Sequence, residues 1–367
     1  MAPGTDTAIW SQEIPVPEVS ISYVDDAVKM KMPDGTEIQS IVPHAKSYWA
    51  RTAKIETLDK EGKKVSYFIK VHQGDIGKKL VSGEYHSMKA LWDAMPNLAV
   101  QPYGYGTYKK MEDTHFILCS FHELSKDLSS LDGLSSPDDL PDLLPSLDNF
   151  PGLVAKLHQK VSPDGTFGFP HETFGGRLAQ FFPVTSSWEE TFKSGVERIF
   201  ESEESSQGYD EDMAQLRKGI MEKVIPRLLR PLEMGPNKIQ PRLVHGDMWD
   251  GNCGIDDNTK EPVIFDATCL WAHNEYELGP WQIGRHKFRE LPYIEKYTEK
   301  FAKSEPKEDF EDRILLYSVR FNLHASALYP GNMMFRDTVR EDMRKLVEKF
   351  PGGYEAWVEA KLPRTGS

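Results

Sequence analysis

The stretch LVHGDMWDGNCGI (residues 243–255), with PVIFDAT (262–268) close behind it, decides how this chain is read. An apolar run leads into His245, Gly246 and Asp247; Asn252 lies five positions past Asp247, and Asp266 closes the next apolar run. Phosphoryl transfer needs such a set. One carboxylate must accept the proton of a substrate hydroxyl, and an amide oxygen with a second carboxylate must hold the magnesium that neutralises nucleotide phosphates. Protein kinases meet this need with H-R-D-x-x-x-x-N followed by D-F-G, and the Asp-to-Asn spacing here is the same. Alone, the pattern also fits a surface turn whose Asp caps a neighbouring backbone. Its place between two strand-like runs, with Asp ending the second, favours a catalytic loop.

Working upstream, TAKIETLDKEGKKVSYFIKV predicts a hairpin of Thr52–Leu58 and Val65–Val71 around a charged tip carrying Gly62. Lys70 stands in its second strand. In the helix that follows, Tyr85, Met88, Trp92 and Met95 mark one face, and Glu84 rides on the same helix. A nucleotide kinase needs a lysine on the phosphates and a helix glutamate to orient it, in that order along the chain. QPYGYGTYKK (101–110) reads as turn, THFILCSF (114–121) as a second apolar strand, and residues 1–45 show no strong periodicity.

Segment 124–150 is dense in Ser, Asp, Leu and Pro and reads as a linker or surface insertion. Beyond it the pattern turns helical. Trp188, Phe192, Val196, Ile199 and Phe200 form one stripe and Met213, Leu216, Ile220 and Val224 another, with the acidic run ESEESSQGYDED (201–212) expected as a solvated loop between them. Further helix is expected from Ile314 to Leu328 and along Phe335, Val339, Met343, Leu346 and Phe350, and no repeat of 20–50 residues is present. The plan is α+β: a small β-rich N-lobe (1–123), a linker (124–150) and a larger α-helical C-lobe (151–367).

The 367 residues suffice for two lobes with a substantial core. Forty-four basic against 57 acidic residues give a net charge of −13, which argues against a nucleic-acid or anionic-membrane partner. No apolar run approaches a membrane span, and the N-terminus lacks the basic and apolar regions of a signal peptide, so a cytoplasmic location is expected. Cys119, Cys253 and Cys269 are too few and too scattered for a disulfide framework or a zinc site, and buried free thiols are expected.

The run FIKV…GEYHSMKAL…VHGDMWDGN…IFDAT…HNEYELG resembles the fructosamine kinase family, the fructosamine-3-kinases and protein-ribulosamine 3-kinases, from about Ser47 to about Pro330. These are relatives of the aminoglycoside phosphotransferases within the protein-kinase-like fold. Trp249 is the specific mark, since that family reads H-G-D-L-W-x-G-N; FGFPHETFGGRLAQ (167–180) with Trp188 and Phe192 resembles a second family stretch. The resemblance implies a two-lobe fold of the aminoglycoside phosphotransferase type with ATP between the lobes. It also implies transfer of phosphate to the 3-hydroxyl of a ketosamine on a glycated protein lysine or free amine, a step that lets the amine be recovered. It implies Asp247 as catalytic base, Lys70 paired with Glu84 on the phosphates, Asn252 and Asp266 as Mg2+ ligands, and Cys119, Ser120 and Phe121 as the hinge holding adenine through main-chain hydrogen bonds. Trp249 would form a wall of the sugar site. His273, Glu275 and His324 are candidates for its border, with polar scaffolding as the competing reading, and His245 is expected to brace the loop.

The sequence departs from the family in places. PHAKSYWART (43–52) has no glycine, Met248 stands for the usual Leu, Asp266 is followed by Ala267 instead of Pro, and PWQIGRHKF (280–288) replaces the Gly-Gly of many members. The rival readings are a kinase of the same fold acting on an aminoglycoside- or choline-like amine, and an inactive binding module. The presence of Lys70, Glu84, Asp247, Asn252 and Asp266 together argues against the second.

Overall fold

Five antiparallel strands, β1 (Glu37–Lys46), β2 (Arg51–Leu58), β3 (Lys64–Gln73), β4 (Pro102–Thr107) and β5 (Thr114–Ser120), form one sheet in the order β1-β2-β3-β5-β4. The structure is a computed structural model and describes residues 16–46, 49–124 and 149–361. Most of segment 124–150 therefore lies outside the described residues. The hairpin forms as the alternation predicts. Gly62 takes φ +80° at its tip, where the Asp59 carboxylate accepts from the amides of Glu61 and Lys63, both at 2.9 Å.

Two strands fall where none was expected. β1 pairs with β2, but none of residues 37–44 is buried and two irregularities break its register, so its sequence carries no alternation. β4 occupies the supposed turn: Gly106 gives the Phe116 ring room, since a Cβ there would sit 3.3 Å from it. Helix α1 (Gly74–Ala94) begins well before its predicted stripe and buries Val81, Met88 and Leu91; Tyr85, Trp92 and Met95 are only half-buried.

The C-terminal part is built from α2 (Phe150–Leu157), α3 (Trp188–Gln207), α4 (Glu211–Gly219), α5 (Phe310–Leu328), α6 (Met333–Lys349) and α7 (Gly353–Lys361). Both predicted stripes of helix are buried. The acidic run is not a loop: α3 continues to Gln207, and only residues 208–210 break the helix. Glu203 can lie on the buried face because Arg336 reaches it (Nε to Oε1 2.9 Å) and the Ser326 hydroxyl donates to it at 2.8 Å, so the charge is paired.

Short strand pairs frame the region between. β6 (Thr173–Gly175) pairs with β7 (Leu178–Gln180), β8 (Arg242–Val244) with β11 (Leu270–Ala272), and β9 (Cys253–Ile255) with β10 (Pro262–Ile264). One apolar cluster joins the two parts: Val81, Met88 and Leu91 of α1 and Ile117 of β5 pack with Met248, Ile264 and other residues of the C-terminal part. All three cysteines are free and buried. Among the described residues no helix is long and apolar enough to cross a membrane.

Candidate active site

β8 delivers His245, Gly246 and Asp247 to the cleft, and the antiparallel β9–β10 pair carries Asn252 and Asp266 at the same end, where Cys253 pairs with Ile264. Gly246 takes φ +85°, and a Cβ there would lie 2.1 Å from the Thr268 carbonyl oxygen, so this position must be glycine. His245 braces the loop as expected. The Asp247 amide donates to its Nδ1 (3.3 Å), so Nε2 carries the proton and donates to the Phe265 carbonyl at 2.9 Å.

Asp247 is partly buried. Burial pushes its carboxyl up to about 7, and the Asp266 charge adds to the rise; Arg320 and a hydrogen bond from Asn252 offset part of it. A carboxylate so placed suits proton acceptance near neutrality. Asn252 Nδ2 donates to the Asp247 main-chain oxygen at 2.8 Å and to Oδ2 at 3.1 Å. Among the described residues no hydrogen bond reaches the amide oxygen of Asn252 or Oδ1 of Asp247. Asp266 has φ +59°, a strained left-handed conformation for a residue with a side chain, and its carboxylate is half exposed.

Lys70 of β3 meets both Glu84 of α1 (3.0 Å) and Asp266 (2.7 Å). Burial works against its charge, but the Asp266 and Glu84 carboxylates outweigh burial and hold its ammonium above the ordinary lysine value. For Asp266, burial is likewise outweighed, here by Lys70, and its value is lowered. The five polar groups expected of a kinase thus meet in one cleft. Beside Lys70, Glu84 and Asp266 the cavity is lined by Trp49, His72 and Phe174. The roof of the cleft therefore comes from Trp49 of the glycine-free loop and from the β6–β7 hairpin. Gly83 lets that hairpin approach α1, since a Cβ there would be 2.4 Å from the Glu172 carbonyl.

Of the residues expected to form the hinge, Ser120 donates its amide to Gln101 O at 2.8 Å and Phe121 to Ser66 O at 3.1 Å, while Cys119 is buried in β5. Trp249 is half-buried and stacks on His286, with ring centroids 5.1 Å apart and planes 27° apart. Its benzenoid end lies where a Cβ on Gly251 would be, which accounts for the glycine two positions on.

Two candidates for the sugar border lie elsewhere. His273 is fully buried: Trp188 Nε1 donates to the Tyr317 hydroxyl, which donates to His273 Nδ1 at 2.9 Å, and Nε2 donates to Ser304 Oγ at 2.8 Å. Glu275 is held by the Arg313 fork at 2.7 and 3.1 Å and by the Ser304 amide at 2.8 Å. With every polar edge taken inside the scaffold, neither can border a sugar. His324 on α5 donates from Nε2 to the Gly175 carbonyl at 2.9 Å, and its buried Nδ1 has no partner. Burial and the nearby Arg320 hold it down to about 3, so it is neutral.

Glu277 was not singled out by the sequence pattern. It is fully buried, and its two carboxylate oxygens accept from the amides of His245 (2.5 Å) and Gly246 (3.1 Å). It pins the catalytic loop, as Glu275 pins the same turn to α5. Its signal was present in HNEYELG, but spacing cannot tell which of the two glutamates faces the loop.

Residues 47–349 match the fructosamine kinase family. A protein-ribulosamine 3-kinase, chloroplastic, from Oryza sativa subsp. japonica is 28% identical over 275 residues, 74% of this chain and 72% of that one. Among solved structures, a Thermobifida fusca protein provisionally assigned as a fructosamine-3-kinase superposes with TM-score 0.64 at 17% identity, covering 86% of this chain and 95% of that one. A ternary complex of aminoglycoside phosphotransferase APH(4)-Ia with AMP-PNP and hygromycin B superposes with TM-score 0.55 at 15% identity, covering 86% and 95%. The departures in the glycine-free loop and at 280–288 leave the fold and the five-residue cleft in place, and this chain belongs to the fructosamine kinase family.

Proposed function

We propose that this protein is a ketosamine 3-kinase: it transfers the γ-phosphoryl group of ATP to the 3-hydroxyl of a fructosamine or ribulosamine on a glycated protein lysine or free amine. The observation that carries this is the meeting of Lys70, Glu84 and Asp266 with Asp247 and Asn252 in one cleft of a chain in this family. Oδ1 of Asp247 takes the hydroxyl proton as the phosphoryl group leaves ATP. Lys70, oriented by Glu84, exchanges its contact with Asp266 for the phosphates. The amides after Phe121, not those of Ser120 and Phe121, serve as donors to adenine. The complex of APH(4)-Ia with AMP-PNP supports an ATP site in this fold. Three buried, unpaired thiols support a reducing compartment such as the cytosol.

The donors present suit Mg2+. Among the described residues no cluster of three metal-binding side chains exists, but an amide oxygen that accepts no hydrogen bond among those residues and a half-exposed carboxylate match an ion that takes one or two protein oxygens and completes its shell with phosphates and water. Asn252 and Asp266 would hold it, and it would neutralise phosphate charge. By calorimetry, ATP is expected to bind wild type at least tenfold more weakly in EDTA than in magnesium, and Asp266→Ala is expected to erase that difference. Equal affinity in all four titrations would remove the metal role.

The function itself is tested by coupled ATP turnover with ribulosyl- and fructosyl-amines, aminoglycosides and choline. Turnover is expected with the ketosamines. Turnover with an aminoglycoside or choline and none with either ketosamine would overturn the reading.

A further inference from the structure

Two arginines whose charge interacts with that of Asp247 are given no task by phosphoryl transfer to a plain ketosamine. Arg320 of α5 is 1% exposed. Its Nη2 donates to the Gln180 side-chain oxygen, its guanidinium lies 4.5 Å from the Phe321 ring centroid and 5.7 Å from that of Tyr276, and its buried Nε has no partner. Arg285 donates from Nη1 to Asn322 Oδ1 and lies 5.1 Å from the Phe335 ring centroid. Among the described residues neither guanidinium forms an ion pair with a carboxylate, and the carboxylate whose charge both feel is Asp247. Burial pushes Arg285 down to about 10 and lowers Arg320 as well. Two more polar atoms are stranded beside them: the buried hydroxyl of Tyr276 and Nδ1 of His324, a ring that feels the charge of both arginines.

Burying Arg320 and half-burying Arg285 with no anion of their own is costly, and leaving Nε of Arg320, a hydroxyl and a ring nitrogen unpaired near them adds to the cost. Such a set is expected where a ligand supplies the missing charge. Nucleotide phosphates already have Lys70, from β3. Arg285 comes instead from the C-terminal part. It lies in segment 280–288, where the sequence departs from the Gly-Gly of many family members, and the segment is tied to the catalytic loop by the stack of His286 on Trp249.

We propose that the acceptor carries an oxyanion, a carboxylate or a phosphate ester, away from the hydroxyl that is phosphorylated, and that Arg285 and Arg320 bind it. The inference rests on the ketosamine reading and narrows it. A carboxylate is present in the ketosamine of a free amino acid, and a phosphate ester in a ketosamine formed from a sugar phosphate. Either is planar or tetrahedral oxygen chemistry that an arginine fork recognises with two parallel hydrogen bonds.

The test compares kcat/KM of the full chain for three acceptors: ribulosyl-glycine, ribulosyl-glycinamide, and the 5-phosphate of ribulosyl-glycinamide. One anionic acceptor is expected to exceed the neutral amide by tenfold or more, and which one it is identifies the source of the oxyanion. Arg285→Met is expected to bring that ratio close to one. If this variant does not fold, Arg285→Lys, which keeps charge but loses the fork, is expected to lower the ratio at least threefold. Equal kcat/KM for all three acceptors in wild type would overturn the inference while leaving the ketosamine reading standing. An equal loss for all three in the variants would overturn it too, by assigning the arginine to the transferring phosphoryl group. No turnover with any of the three would remove the ketosamine reading and this inference with it.

Discussion

Asp247→Asn is expected to lower kcat by 10²- to 10⁴-fold or more and to leave the melting temperature unchanged. The substitution keeps the size of the side chain, and its amide oxygen can still accept from Asn252 Nδ2 in place of Oδ2. The proton acceptor at Oδ1 is lost, and with it the route for the hydroxyl proton. Removing a carboxyl that burial has pushed up to about 7 costs the fold little, because that charge was poorly solvated. Initial rates at saturating ATP and ketosamine, with a thermal melt on the same preparation, check both halves. A variant with wild-type kcat would show that another group takes the proton.

Glu277→Ala is expected to lose both stability and rate. The His245 and Gly246 amides are buried and have Glu277 as acceptor, and an unsatisfied buried donor costs about 1–3 kcal/mol. A loss of about 2–6 kcal/mol follows, with a fall of several degrees in melting temperature. Because these amides hold the residues just before Asp247, kcat/KM is expected to fall at least about 100-fold even at a temperature where the variant is folded. Glu277→Gln should lie between, since its oxygen satisfies one amide and its NH2 group faces the other. A variant that melts and turns over like wild type would show that β8 and β11 hold the loop without it.

What could be read from the sequence was whatever depends on spacing along one element. Lys70 and Glu84 lie on a strand and a helix whose patterns are clear, and Asp247, Asn252 and Asp266 lie within a few residues of short strands, so their order could be read along the chain. The Thr52–Val71 hairpin was legible because its alternation is complete. β1 was not, because an exposed edge strand has no buried face to mark it. The loop expected at 201–212 failed for the opposite reason: charge was taken as exposure, and Glu203 is buried only because Arg336 arrives from a helix 133 residues away. His273 and Glu275 failed in the same way. Their side chains point according to Tyr317 and Arg313, partners on α5 that local pattern does not reveal. Arg320 was hidden because a cation in an otherwise apolar helical stretch looks like any other interruption of the stripe.

The apolar cluster shared by α1, β5 and the catalytic loop has a thermodynamic consequence. Val81, Leu91 and Ile117 bury themselves against Met248 and Ile264, while Ile55, Ile69, Val71, Phe116 and Leu118 form a second core that belongs to the small lobe alone. Parting the lobes exposes the shared cluster even where each lobe keeps its own core, and the free energy of any ligand bound between them is added to the cost of parting. At a nucleotide concentration 100 times Kd that linkage adds about 2.7 kcal/mol. Occupancy of a site between lobes thus becomes resistance to their parting.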